Sequence, residues 1–278
     1  MITFIEDILT LGKVILRSKR PSRQGKTRPG SIVVMGNGPS LRHVIENERD
    51  ILMSMDRMAV NFAANAPEFT ELCPQYYILA DPHFFSGVST DANVAALWEH
   101  LHAVSWPMTL WLPVRHRREA LPLVAGLGAN VEVKWFNLTP SEGGGRLTRK
   151  LIATGLAMPR PRNVLIPAIM CAMREGYREI LLVGADHSWL QSLWVDDLNR
   201  VVSVQPHFYK DNKSELDRVA EAYSGYHLHD ILGSMVVAFR SYFEIADYAR
   251  RRGVRIRNAT PGSFIDAFER IDFARMQR

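Results

Sequence analysis

Short apolar runs alternate with stretches of helical period along most of this chain. SIVVM at Ser31–Met35, RMAVN at 57–61, YYILA at 76–80, two further runs at 108–112 and 131–135, EILLV at Glu179–Val183 and a last one at 254–257 each predict a buried strand. Apolar spacing of three and four predicts helices over 41–55, 164–175 and 231–252. Strands and helices alternating in this way predict an α/β fold with a mostly parallel sheet. Ligands of such folds bind beyond the carboxyl ends of the strands. Chemistry is therefore expected in the residues just after each strand, and here those are unusually polar.

Three stretches break the alternation. SRQGKTRPG at 22–30 reads as a linker. SEGGG at 141–145, followed by Arg146, Arg149 and Lys150, reads as mobile and basic. Residues 190–209 hold Trp194, Asp196, Asp197 and His207 with only a weak strand signal, and a lid is expected over about 187–228. Ahead of the linker, Ile5, Ile8, Leu9, Leu11, Ile15 and Leu16 recur at helical spacing, with Lys13, Arg17, Lys19 and Arg20 among and after them. Such an amphipathic helix would lie on an anionic membrane through residues 1–20, or pack on its own chain or on a partner subunit of a homo-oligomer. The division expected is an arm and linker over 1–30 and one α/β domain over 31–278.

The 278 residues are 47% hydrophobic and 23% charged, enough for one large domain with an ordinary core. Cys73 and Cys171 lie in no C-x-x-C or His/Cys spacing, so neither a disulfide framework nor a zinc site is expected, and a reducing cytoplasm fits. The net charge of +5 is uneven. Residues 1–30 hold seven Lys and Arg against Glu6 and Asp7, and the remainder holds 27 of each sign. The basicity belongs to the arm and not to the fold, which speaks against nucleic acid as a partner. The charges within the arm also speak against a transmembrane span.

Six constellations could carry chemistry. Gly36-Asn37-Gly38-Pro39-Ser40-Leu41 follows the first strand; its glycines would let the backbone approach a ligand, and Ser40 would cap a helix whose amides face a phosphate. It lacks the G-x-G-x-x-G spacing and the lysine of a P-loop. Asn61 ends the second strand, where an amide can bond a base or ribose or simply make a turn. Asp81-Pro82-His83-Phe84-Phe85 offers a carboxylate at a strand end, or a turn-initiating Asp-Pro pair. Gly184-Ala185-Asp186-His187-Ser188-Trp189 puts Asp, His and an aromatic together on a loop, which is poor core material. His207, His227 and His229 form a late set, with His229-Asp230 just before the long helix, and a histidine is the usual base for a hydroxyl. Asn258-Ala259-Thr260-Pro261-Gly262-Ser263 either closes the cleft or caps a final helix through Ser263. No carboxylate or histidine cluster at ligand spacing points to a metal.

The Gly36–Leu41 motif resembles the opening loop of small bacterial sialyltransferases that use CMP-sialic acid. Asn61 sits where that family closes its second strand with Asn, ILADPHFF at 78–85 resembles its strand with Asn-Pro after it, and AIMCAMREGYREILLVGAD at 168–186 resembles its helix, strand and Gly-x-Asp loop. His229 resembles its catalytic histidine. The same outline is shared by the motility-associated factors, which transfer nonulosonates to flagellin, and by proteins like 6-hydroxymethylpterin pyrophosphokinase. The late segments GADHSW, HFY and NATPGSFIDAFER resemble proteins of lipopolysaccharide and capsule clusters. The resemblance runs over roughly 31–270.

It implies a single Rossmann-like, GT-A-like domain and transfer of an acidic sugar, a nonulosonate or a Kdo-like acid, from a CMP donor to a surface-glycan or lipid-linked acceptor, with inversion. Gly36, Asn37, Gly38, Pro39, Ser40, Asn61, Asp81, Asn163 and Asp186 would line the nucleotide site. His229, or else His207, would be the base, no metal cofactor would be required, and the protein would work in the cytoplasm, peripheral on the inner membrane. This sequence departs from the family where Asp81 replaces Asn and where Ser188 replaces a tyrosine that steadies the leaving phosphate. His187, Ser188, Trp189, Tyr209 or Arg146 would then serve the phosphate. Two other functions fit the same residues. One is an ATP-dependent pyrophosphokinase-like transferase with Mg²⁺ on Asp81 and Asp186, and the other is a glycan- or nucleotide-binding accessory protein without catalysis.

Overall fold

The computed structural model describes residues 2–202 and 225–277. Its centre is an eight-stranded sheet. The strands are β1 (Ser31–Met35), β2 (Asp56–Val60), β3 (Tyr76–Ile78), β4 (Met108–Pro113), β5 (Val131–Phe136), β6 (Glu179–Val183), β9 (Arg255–Asn258) and β10 (Glu269–Arg270), with a short antiparallel hairpin of β7 (Trp194–Val195) and β8 (Val201–Val202) outside it. The sheet order is β10-β9-β6-β1-β2-β3-β4-β5, and every neighbouring pair is parallel. From β1 the chain steps outward to β5, then returns to place β6 on the other side of β1. The loops after β1 and β6 therefore leave in opposite directions, and a crevice opens between them.

The central strands are buried on both faces, which is why they read as continuous apolar runs. Ile32 and Val34 of β1 face one core with Ile180 and Leu182 of β6, and Val33 and Met35 face the other with Leu181 and Val183. The first core is covered by the helices Leu165–Glu175 and Leu228–Arg251, the second by Ser40–Asn47, Arg49–Met53, Glu68–Leu72 and Ala92–His102. The helix expected over 41–55 is broken at Glu48, whose φ of −128° leaves the helical region.

Two segments expected to be loose are held in place. The linker satisfies carbonyls that the Leu165–Glu175 helix leaves open at its C-terminus: Gly25 N donates to Arg174 O at 2.7 Å, and Arg28 N to Gly176 O at 3.1 Å. Ser22 pairs with Trp135 of the edge strand β5, N to O at 2.9 Å and Oγ from N at 2.8 Å, which shields an edge that could otherwise pair with another chain. The Ser141–Gly145 stretch is pinned by Ser141 N to Met158 O at 2.7 Å and by the arm, where Glu142 N donates to Thr10 Oγ1 at 2.9 Å.

The arm is a helix, Ile2–Arg17, lying on the Arg146–Ala153 helix. Asp7 accepts from the amides of Leu147 and Thr148 at 3.2 and 2.9 Å, capping that helix from outside it. Burial alone would raise the Asp7 carboxyl, but these bonds outweigh it and hold it below its ordinary value. Lys13 and Arg160 both pair with Glu142. Among the described residues no helix is long and apolar enough to cross a membrane.

Candidate active site

The loops after β1 and β6 interlock. Gly36 N donates to Val183 O at 2.8 Å and Gly38 N to Gly184 O at 2.9 Å. A Cβ on Gly36 would lie 2.4 Å from Gly184 O, and one on Gly184 would lie 2.3 Å from Gly36 O. A Cβ on Gly38 would lie 1.9 Å from Asp186 Oδ2. The glycines here serve contact between the two loops. Ser40 does not cap its helix: the N-cap is Pro39, and Ser40 Oγ donates to Asp186 Oδ2 at 2.7 Å. The Ser40 amide bonds the same carboxyl. The helix N-terminus expected to face a phosphate is thus occupied by the chain's own Asp186. Burial raises the Asp186 carboxyl above its ordinary value, and the Ser40 bonds offset only part of that.

Beside these loops opens a cleft of about 480 Å³, an ordinary size for a small-molecule site. Gly36, Asn37, Gly38, Pro39, Asn61, Asp81, Asn163, Asp186, His187, Ser188 and Trp189 line it, so the structure gathers every described residue singled out for the nucleotide and donor except Ser40, which stands behind the wall, and Arg146. Asn61 has a left-handed φ of 50°, and its carbonyl accepts from the buried Tyr77 hydroxyl, which in turn accepts from Ala64 N at 2.9 Å. Its Oδ1 is buried with no partner among the described residues. Asn163 Oδ1 accepts from Leu165 N at 3.0 Å and Tyr242 Oη at 2.9 Å, while its Nδ2 is buried and unpartnered. Buried polar atoms without partners are uncommon in native proteins; here one acceptor and one donor stand on the walls of a single cleft. Asp81 both lines the cleft and makes the Asp-Pro turn, taking the His83 amide at 2.9 Å.

His187 is buried at a left-handed φ of 50°, with its Nε2 2.6 Å from Tyr242 Oη and its ring 4.2 Å from Trp189. Because Tyr242 donates its one proton to Asn163, His187 donates to Tyr242. Burial pushes the imidazole down to about 3, so it is neutral near pH 7 and brings no charge to a phosphate. Its contacts with Tyr242 and Trp189 fix it in the wall.

The cleft also holds residues for which the sequence suggested no role. Arg115 and Arg162 line it, both exposed and both without an ion pair among the described residues. His83 lines it too, with Nε2 2.8 Å from Asp91 Oδ2. Asp91 is itself fixed as the N-cap of the Ala92–His102 helix, accepting from Asn93 N at 2.8 Å. Burial alone would raise its carboxyl, but the bonds from His83 and Asn93 hold it below its ordinary value. Arg115 is the second residue after β4, so the rule of looking after each strand reaches it. His83 belongs to the quoted ADPHFF. Arg162 and Tyr242 carry no local signal.

Other expected groups fall elsewhere. His229 is 80% exposed, 3.4 Å from Asp230, and outside the cleft wall. It precedes Tyr242 by thirteen helical positions, about 20 Å of axial rise. The run His227-Leu228-His229-Asp230 starts the helix: the His227 side chain accepts from the Asp230 amide, and Asp230 accepts from the His227 amide at 3.0 Å. Arg146 opens its own helix and does not reach the cleft. Asn258, Thr260 and Ser263 brace the β6 loop from behind, with Ala185 N to Thr260 Oγ1 at 3.0 Å and Ser263 Oγ to Ala185 O at 2.6 Å; Ser263 caps no final helix. His207 and Tyr209 lie outside the described residues, as does most of the expected lid.

The molecule is thus a Rossmann-like α/β domain with a cleft at the switch point of a parallel sheet. No family model matches the chain, and no curated protein matches it. Among solved structures, a MAf glycosyltransferase from Magnetospirillum magneticum AMB-1 superposes with a TM-score of 0.52 at 11% identity, over 98% of this chain and 38% of that one. The chain spans well under half the length of that protein, and the likeness shows a shared fold.

Proposed function

We propose that this chain is a glycosyltransferase whose cleft binds a CMP-activated acidic sugar and transfers the sugar to a glycan or glycolipid acceptor. The observation that carries the reading is the polarity of one cleft: two arginines that make no ion pair, beside two buried amide groups with unmet hydrogen bonds, all among the described residues. Guanidinium groups match phosphate geometry. An amide acceptor and an amide donor match the edge of a base. The sequence resemblance supplies the CMP donor; the fold shared with a MAf glycosyltransferase supports glycosyl transfer in general.

In this reading Asn61 and Asn163 take the nucleoside and Arg115 with Arg162 the phosphate. As the anomeric carbon leaves the phosphate through an oxocarbenium-like state, the two guanidiniums gain contact with the departing charge, which favours the transition state over the ground state. The acceptor hydroxyl loses its proton to a base on the opposite side. Of the described histidines, His83 fits that task, because it lines the cleft and Asp91 fixes the ring and its tautomer. His229 is too far along its helix. His207 is the rival, and paired alanine variants separate the two.

Thermal unfolding with CMP, CDP, UDP, GDP and ATP, each with Mg²⁺ and with EDTA, tests the assignment. A ligand at about 100 times its dissociation constant stabilises by about 2.7 kcal/mol. Protection by CMP that survives EDTA is expected. Protection only by ATP with Mg²⁺ would refute the CMP reading in favour of a pyrophosphokinase-like reaction. CMP protection with no turnover of any CMP-activated acid would favour a binding protein.

A further inference from the structure

The Ile2–Arg17 helix is committed on one side and open on the other. Thr10 and Val14 are buried on the inner side against the domain. The outer side carries Phe4, Ile5, Ile8, Leu9, Ile15 and Leu16, each 50–82% exposed. Spacings of three and four keep them on one face. A side chain built at Gly12, among them, would meet nothing within 4 Å. An exposed apolar patch of this kind marks a contact surface.

Charge identifies what covers it. Arg17, Lys19, Arg20, Arg23 and Lys26 end or follow the helix, all exposed and none with an ion pair among the described residues. Residues 1–30 hold the whole excess of +5, and the rest of the chain is balanced. A second copy docked through the same face would bring no compensating charge, because the only carboxylates of the arm are Glu6 and Asp7, and Asp7 is already bound to Leu147 and Thr148. An anionic lipid surface complements both features, taking the apolar face into its acyl boundary and the cations among its headgroups. We propose that the outer face of this helix, with the cations that follow it, docks the chain on an anionic membrane. The inner side then links the docked helix to the cleft, since Lys13 and Arg160 share Glu142 and Arg160 leads directly into Arg162 and Asn163 of the cleft wall.

Vesicle flotation tests this with phosphatidylcholine alone and with phosphatidylcholine mixed with phosphatidylglycerol. The chain should float with the mixed vesicles, stay behind with the zwitterionic ones, and release as salt rises. Replacing Lys19, Arg20 and Arg23 together by Ala should weaken binding about a hundredfold, roughly fivefold per cation. Ile8→Glu with Leu9→Glu should abolish it. Gly12→Leu should strengthen it about tenfold by adding buried apolar surface. These positions face away from the domain, so CMP protection should not change and the unfolding temperature should not fall, Gly12→Leu raising it at most slightly through helix propensity. No flotation with mixed vesicles, or flotation indifferent to Ile8→Glu/Leu9→Glu, would overturn the proposal. So would a dimer in solution that this pair dissolves without any vesicle binding. Flotation without CMP protection would leave docking intact and sink only the function proposed for the cleft.

Discussion

Gly38→Ala separates two uses of the same glycine. If the residue serves only close approach of a ligand, the unliganded protein should not notice the methyl. The structure requires otherwise. The new Cβ would lie 1.9 Å from Asp186 Oδ2 and 2.7 Å from Gly184 O. The carboxyl can swing away, but it then loses the Ser40 hydroxyl and amide, bonds to a charged group worth about 1.5–3 kcal/mol. The backbone carbonyl of Gly184 cannot move independently, because Gly184 is itself locked against Gly36. Adding about 1–2 kcal/mol for overpacking gives a loss of about 2.5–5 kcal/mol, or about 4–9 °C for a chain of this size. Asp186→Ala removes the first obstacle and leaves the second. The double variant should therefore lose less than the sum of the singles, with a coupling of about 1–2 kcal/mol. Chemical denaturation without nucleotide, read as midpoints at constant slope, measures all four corners. Gly38→Ala within about 0.5 kcal/mol of the parent, with no coupling, would refute the interlocked-loop account.

Arg115→Ala and Arg162→Ala should each weaken CMP protection about tenfold or more and leave the unliganded melting temperature in place, because neither side chain has an ion pair among the described residues. His83→Ala should lower turnover by about 10²–10⁴ in a CMP-sugar transfer assay, with His229→Ala nearly silent. Asp91→Asn, which can still cap its helix, should cost less and act on kcat more than on KM. Asp186 also sets a pH dependence. Its folded-state carboxyl titrates above the ordinary 3.8, so the stability it contributes is present below that value and is lost as pH rises through the folded one. Measured against Asp186→Asn by denaturation from pH 3 to 7 (about the range over which such a group titrates), the parent should lose stability relative to the variant as pH increases; a constant difference would contradict the burial.

The apolar runs determined seven of the sheet's eight strands; the two-residue edge strand β10, Glu269–Arg270, is polar and carried no such signal. Ser31–Met35 and Glu179–Val183 are strands with the bounds their pattern predicts: after a half-buried polar first residue, each is buried on both faces and is apolar at every remaining position. Parallel strands all point one way, so Asn37, Asn61, Asp81 and Asp186 were bound to emerge on one edge, and the expectation of a cleft there followed from local pattern. Arg115 was legible by the same rule. Which groups meet across that edge was decided only in three dimensions. Ser40 and Asp186 are 146 positions apart, and Asn163, His187 and Tyr242 converge from a loop, a strand end and the middle of a helix. Sequence spacing holds no record of such contacts, since they arise from strand order: β6 lies against β1 only because the chain doubles back after β5. The same holds for the arm. Its helical period was plain from the residues, but that Thr10 and Val14 are buried while Ile8, Leu9 and Leu16 stay outside depended on the Arg146–Ala153 helix being there to receive one side.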